Sequence, residues 1–332
     1  MSEQIIQCSN RDCRVSETGK CVEGLPIESC PNYGHVQTAE IEQQAGAASQ
    51  LAVVLRSAQK LSLIDAEAIL RQYSARVIAI VGPYDAGKTS LVAGLYDLFQ
   101  SGPVQSIKFS GSVTLHALER ACHDARAASE RTVPDSERTP LGDVQFYHLG
   151  MVDGADGTRS ALLLGDRAGE EYRSAANDAE IAKTFAEVRR ADAITFLVDG
   201  ERLASDTSRH QVRAELLRQV QGLIDGNATN PRQRMAVVLT KLDAVLTSDN
   251  RARALADFEA DVAKVLRHFV ARFSTIEAFQ IAASPKTNAA GRGAGLYDLL
   301  AFWLRVPAQL RVPIEPTERE SRVFRQLAVR DE

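Results

Sequence analysis

No long hydrophobic run occurs in this chain: its apolar stretches are strand-length, well short of the roughly 20 residues a membrane-spanning helix needs. The N-terminus, Met1, Ser2, Glu3 and Gln4, lacks a basic region followed by a hydrophobic core. No signal peptide is therefore expected, and the cytoplasm is the default location. A strong excess of one charge is missing too. Thirty-nine Lys and Arg stand against 43 Asp and Glu, for a net charge of −4, so no overall basic bias points to nucleic acid. Cysteine is scarce, five in 332 residues, yet four of the five fall before residue 31, which makes them a local device. The length is ample for a buried core in one large domain with an appendage, or in two ordinary domains.

What is present is most specific at residues 77–89. An apolar run, Val77, Ile78, Ala79, Ile80, Val81, leads into Gly82, Pro83, Tyr84, Asp85, Ala86, Gly87, Lys88, Thr89. The pattern G-x-x-x-x-G-K-T between a buried strand and an amphipathic helix (Leu91, Leu95, Leu98, Phe99) is a P-loop. Such a loop curls so that successive backbone N–H groups face phosphate oxygens, and glycines allow the turns and the close approach. Gly82, Asp85, Ala86, Gly87, Lys88, Thr89 and Ser90 are thus expected to hold a nucleotide. Lys88 would reach the β- and γ-phosphates, Thr89 would offer its hydroxyl to Mg²⁺, and the helix N-terminus would add partial positive charge.

Three further signals follow at strand ends. Two candidate strands, 144–152 and 160–164, are joined by the turn Asp153 to Gly157, and the second runs into Gly165, Asp166, Arg167, Ala168, Gly169, Glu170. In D-x-x-G the aspartate, here Asp166, binds the Mg²⁺ shell, and the N–H of Gly169 can meet the γ-phosphate. Met235 to Leu239 runs into Thr240, Lys241, Leu242, Asp243. A carboxylate fixed there accepts two hydrogen bonds from the N1–H and N2–H₂ edge of guanine while the lysine stem covers the base; adenine lacks that donor pair. Residues 278–283 are expected as a last strand, with Ser284, Pro285 and Lys286 at its end. Pro285 has no N–H to give the guanine O6, and Ser284 could supply it in a shifted register.

The leader spaces Cys8, Cys13, Cys21 and Cys30 as C-x4-C-x7-C-x8-C. Four thiolates in so short a piece can bind Zn²⁺ tetrahedrally, and the bond energy would fold a segment with too few apolar residues to fold alone. The gaps are looser than C-x2-C pairs, His35 is a spare ligand, and disulfides or unrelated thiols are the alternatives. Residues 38–60 and 62–72 carry apolar positions at helical spacing, as do 112–130, 178–190, 208–224, 252–272 and 296–304. Phe302 and Trp303 are expected in the core. The organisation expected is a cysteine-rich segment 1–36, a helical connector 37–75, a nucleotide domain 76–305 and a tail 306–332.

G-x-x-x-x-G-K-T, D-x-x-G, T-K-L-D and S-P-K in that order resemble the Ras-like GTPase superfamily over residues 76–305. The pieces Phe109, Ser110, Gly111, Ser112, then Phe146, Tyr147, His148, Leu149, the run Pro134 to Thr139, and the cysteine-rich leader look like the bacterial double-GTPase family. The resemblance implies an α/β, P-loop NTPase (Ras-like) three-layer fold with a mostly parallel central sheet, plus a small N-terminal zinc-binding appendage. It also implies GTP/GDP and Mg²⁺ as ligands, and protein partners including a second GTPase in a bacterial conflict or phage-defence system. Thr139 would be the switch threonine that meets Mg²⁺, with Thr132 as the alternative. The catalytic set would be Lys88, Thr139, Gly169 and Glu170. Glu170 departs from the family pattern, which has glutamine there; a carboxylate near the γ-phosphate adds repulsion, so hydrolysis to GDP and phosphate is expected to be slow or to need a partner. Arg138 and Arg126 are candidate arginine fingers, against the plainer reading of solvated surface arginines. The competing expectation is a scaffold that binds nucleotide without turnover and recruits partners through the cysteine leader. For that leader, protein purified without added zinc should carry close to one equivalent by metal analysis; below about half an equivalent, the zinc assignment falls.

Overall fold

The computed structural model describes residues 59–125, 142 and 144–305, with Val15, Lys20, Cys21, Pro26, Ile27, Cys30 and Tyr33 as isolated positions before them. The chain divides into two units, Met1–Leu55 and Arg56–Glu332. The isolated positions belong to the first unit, and everything below concerns the second.

Seven strands form one sheet in the order β2-β3-β4-β1-β5-β6-β7: β1 Ser74–Val81, β2 Ile107–Gly111, β3 Gln145–Asp153, β4 Arg159–Asp166, β5 Ala193–Asp199, β6 Arg234–Thr240 and β7 Thr275–Gln280. From β4 across to β7 all neighbours are parallel, while β2, β3 and β4 pair antiparallel at the other edge. The central strands β1, β5 and β6 are near-continuous aliphatic runs, as strands covered on both faces require. Their side chains alternate between layers. Ile78 and Ile80 point into a cluster with helices α2 (Lys88–Gln100), α3 (Leu115–Ala125) and α11 (Leu296–Leu304). Ala79 and Val81 point into the opposite cluster. That side holds α4 (Gly169–Ala175), α5 (Ala179–Lys183), α6 (Ala186–Arg190), α7 (Gly200–Ala204), α8 (Arg209–Asp225), α9 (Leu242–Thr247) and α10 (Arg251–Phe269). A third, small cluster seats α1 (Leu63–Gln72) on β1, β3 and β4 through Leu61, Ala66, Ile69, Val77, Phe146 and Leu163. The α/β three-layer architecture with a mostly parallel sheet is therefore as expected. Among the described residues no helix is long and apolar enough to cross a membrane.

Three local expectations change. The stretch 178–190 is two short helices, because Phe185 leaves the helical path (φ −77°, ψ 85°) to pack edge-on against Tyr172, ring centroids 5.3 Å apart. The last strand ends at Gln280, earlier than its apolar composition suggests: Ile281 and Ala283 join the core under α2 and α11, and Ala282 bridges Ala294. β2 has no clear signal in the sequence, since its burial alternates between half-buried and exposed as on an edge. The candidate helix 112–130 begins at Leu115 and is described to Ala125; the segments 38–58 and 306–332 lie outside the described residues.

The core closes on α11. Trp303 is fully buried and donates its indole N–H to Thr195 Oγ1 at 2.9 Å, while the buried Arg234 donates to the carbonyls of Phe302 and Trp303 at 2.6 and 2.9 Å, satisfying the helix end. Replacing Trp303 by Ala should cost about 3–5 kcal/mol of stability, a cavity plus an unpaired Thr195 hydroxyl, measured as a lowered urea midpoint.

Candidate functional site

Parallel pairing carries β1, β4, β5 and β6 to the same rim of the sheet, so the segments that follow them share one end of the domain. After β1, the chain turns at Asp85 (φ 61°) and Gly87 (φ 89°) and enters α2 at Lys88. Gly87 supplies the left-handed backbone that an ordinary side chain would resist. No side chain caps α2, and its first turn carries no acid. The helix start keeps the amide donors and the dipole that suit an anion. Lys88 Nζ donates to the carbonyls of Gly82 and Pro83, both at 3.0 Å. Burial lowers the Lys88 pKa, opposed by the charges of Asp166, Glu170 and Asp85, so all three carboxylates act on this ammonium. Thr89 and Ser90 are half-buried beside it, whereas Tyr84 and Asp85 face outward.

Asp166 ends β4 and is buried. Three residues later Gly169 opens α4 pressed against the loop: a Cβ there would lie 2.4 Å from the Tyr84 nitrogen, 2.5 Å from the Pro83 carbonyl carbon and 2.9 Å from Lys88 Nζ. Glu170 is exposed at the start of α4. Between them Arg167, which sequence reasoning passed over, is buried and reads four acceptors. It donates to Glu187 Oε1 and Oε2 at 2.7 and 3.1 Å, to Glu171 at 2.9 Å and to the Gly142 carbonyl at 2.7 Å. Its guanidinium also lies over the Phe185 ring, 4.4 Å from the centroid. Burial alone would lower the Arg167 pKa, but the bonds to and charge of Glu187 raise it. Tyr172 donates its hydroxyl to the same Glu187 at 3.2 Å, and burial with that carboxylate's charge holds the Tyr172 pKa well above its usual value.

On the other flank, Thr240 Oγ1 lies 2.9 Å from the Ala86 carbonyl and 3.2 Å from that of Val198. Lys241, at φ 51°, sets its ammonium among Asp85, Asp199 and Glu201 at 2.9, 3.0 and 3.1 Å. Burial opposes that charge, and Asp199 with Asp85 overcomes it, raising the Lys241 pKa. Asp199 was visible in sequence only as the residue ending an apolar run; it is buried, and burial raises its pKa against the pull of Lys241. Asp243 is buried and accepts the backbone N–H of Lys286 at 2.8 Å, so the T-K-L-D and S-P-K segments meet. Ser284 is half-buried nearby in sequence, in the loop after β7.

Part of the expected set is therefore in contact: loop 82–90 lies against Gly169 on one side and Thr240 and Lys241 on the other, and Asp243 touches Lys286. The donor chemistry also fits the expected ligands. A hydroxyl at Thr89 and a carboxylate at Asp166 are the hard oxygens that Mg²⁺ takes, and the uncapped start of α2 has the free amide donors that suit a phosphate. Thr132, Thr139, Arg126 and Arg138 lie outside the described residues, as do Cys8, Cys13 and His35. Cys21 and Cys30 are free thiols, and among the described residues no cluster of three His, Cys, Asp or Glu could hold a metal.

Lys60 is the second residue that sequence reasoning missed. Its ammonium meets Asp166 Oδ2 at 2.5 Å and lies 4.9 Å from the Tyr147 ring centroid. Burial lowers its pKa, and Asp166 with Tyr147 more than reverses this. Burial likewise pushes Tyr147 up to about 12, with Lys60 opposing and Asp166 assisting. No sequence signal marks a lysine so far from its partner.

Gly169→Ala should force the Pro83–Tyr84 backbone aside. A loss of about 1–3 kcal/mol is expected in the urea midpoint, with faster amide exchange at Tyr84; an unchanged midpoint would mean the loop yields freely.

No curated protein matches the chain. Among solved structures, the signal recognition particle receptor SRb-GTP/SRX complex from Chaetomium thermophilum aligns at 15% identity and TM-score 0.37, covering 70% of this chain and 96% of that one. The GTP-bound GTPase-like domain of S. cerevisiae Ski7 aligns at 16% identity and TM-score 0.36, covering 74% of this chain and 54% of that one. A family model, Double-GTPase 2, matches residues 76–304, the span from early β1 to the end of α11 that carries every segment meeting at this rim. By that match over more than half its length, the chain belongs to the Double-GTPase 2 family.

Proposed function

We propose that the protein is a GTP-binding switch with Mg²⁺-dependent, slow or partner-stimulated hydrolysis of GTP to GDP and phosphate. The observation that carries it is the linked set around loop 82–90, in which the phosphate cradle touches Gly169 and Thr240 directly. In this reading the N–H groups at the start of α2 and the Lys88 ammonium hold the phosphates. Asp243 selects guanine through its two-acceptor edge, and the Lys286 N–H holds that carboxylate in place. Mg²⁺, held by Thr89, Asp166 and Thr139, would neutralise charge on the transferring phosphoryl group. Gly169 reports the γ-phosphate through its N–H, on a backbone so close to the loop that a Cβ there would lie 2.4 Å from the Tyr84 nitrogen.

The placement of Glu170 supports slow unaided turnover. It is exposed at the first turn of α4, and a carboxylate cannot orient water beside a γ-phosphate as an amide does. The same observation favours the second reading, a scaffold that binds nucleotide without turnover. Single-turnover hydrolysis with and without the products of neighbouring genes separates them; phosphate release in neither favours the scaffold. The leader, as a Zn²⁺ segment bound by Cys8, Cys13, Cys21 and Cys30, would serve protein partners, a second GTPase among them, in a cytoplasmic bacterial multi-protein system.

Asp243→Asn should exchange guanine for xanthine preference, since the amide presents one donor where the carboxylate presents only acceptors. Titration with fluorescent GDP and XDP should show GDP weakened by about 100-fold or more and XDP gaining. Equal affinity of the unaltered protein for GTP and ATP would sink the guanine assignment.

A further inference from the structure

Asp166 is shared between the proposed metal site and a side chain from outside the nucleotide motifs. The segment entering the domain is pinned there at two points. Leu61 exchanges both backbone hydrogen bonds with Phe146, at 2.8 and 2.9 Å, and its side chain joins the small cluster under α1. Ser62 then caps α1 in a reciprocal arrangement with Asp65. Phe146 is in register with Gly165, the residue before Asp166. This double anchoring leaves Lys60 little freedom, and delivers its ammonium to Asp166 Oδ2 at 2.5 Å over the face of Tyr147. The pair is largely shielded from water, with side-chain exposures of 19% and 4%, so its charges are felt at more than surface strength.

Resting on the switch reading above, we propose that Lys60 is a positioning residue that occupies the Asp166 carboxylate in the magnesium-free protein and leaves it when Mg²⁺ and nucleotide load. A divalent ion drawing on Asp166 meets the charge of Lys60 at close range in a poorly screened setting, and the two cations compete for one carboxylate. Lys88 adds a second positive charge on the loop side, and Tyr147 stays neutral. Lys60 therefore raises the magnesium concentration at which nucleotide is retained.

The test uses the full chain loaded with fluorescent GDP, with release measured against free Mg²⁺ for the unaltered protein, Lys60→Met and Lys60→Arg. Lys60→Met should lower the magnesium midpoint by about fivefold or more, Lys60→Arg should stay near the unaltered protein, and release in EDTA should be the same in all three. A midpoint unchanged or raised in Lys60→Met overturns the proposal while leaving the switch reading intact. No nucleotide response in the unaltered protein overturns both. Should the Met and Arg variants fail to fold, amine-reactive labelling of the unaltered protein followed by mass spectrometry decides. Labelling of Lys60 should rise when Mg²⁺ and GDP are added, and labelling that stays the same rejects its displacement.

Discussion

The hydroxyl of Thr240 stands between the carbonyls of Ala86 and Val198, and much of the site hangs on that contact. One small side chain at the end of β6 ties the phosphate loop after β1 to the end of β5. A hydroxyl has one proton to share between the two carbonyls, so the bond sets the loop at a fixed height above the rim. From there the next residue, Lys241, reaches back to Asp85 in the same loop, and Asp243 reaches forward to Lys286. The segments that follow β1, β6 and β7 are thereby parts of one hydrogen-bonded frame.

Opposite this frame lies a different device. Arg167, inside the D-x-x-G segment, is buried against Glu187 and also bonds Glu171 and Gly142. Removing one member of such a pair strands a charge out of water, at a cost of about 3–5 kcal/mol. The pair therefore acts as an anchor for the segment between β4 and α4. Because Gly142 precedes β3, the same guanidinium also holds the end of the connection entering that strand. A switch built on this segment has to move about Arg167 or break it free, and motion at Gly169, two residues on, is the smaller change.

The pieces that mark the family resemblance have a structural reason of their own. Ser112 donates to the His148 carbonyl at 2.6 Å, the Val113 N–H donates to His148 Nδ1 at 3.2 Å, and the His148 N–H bonds Thr114 Oγ1 at 2.9 Å. This buried network leads the chain from β2 into α3 beside β3. Fully paired polar groups of this kind specify one arrangement where an apolar contact would tolerate several. Ser112, Thr114 and His148 thus belong to the scaffold of the antiparallel edge, while Tyr147 of F-Y-H-L lies beside Lys60 and Asp166.

The sequence by itself determined the parts whose physics is local. The aliphatic runs of β1, β5 and β6, the glycine spacing of loop 82–87, the helical period of α2, α8 and α11, and the burial of Trp303 all follow from residue type and spacing. Short-range exceptions escaped it: Phe185 breaks a helix for an aromatic contact, and Ile281 to Ala283 stay apolar after the strand has ended because a helix covers them. Only the tertiary structure decided which charges meet. Lys60 and Asp166 lie 106 residues apart, Arg167 and Glu187 20, and Lys241 and Asp85 156. Lys60 and Arg167 look in sequence like any solvated side chain, and the T-K-L-D motif that marks Lys241 does not name Asp85 as its partner, since a charge acts through space and the chain path that closes the distance is set by strand order and register.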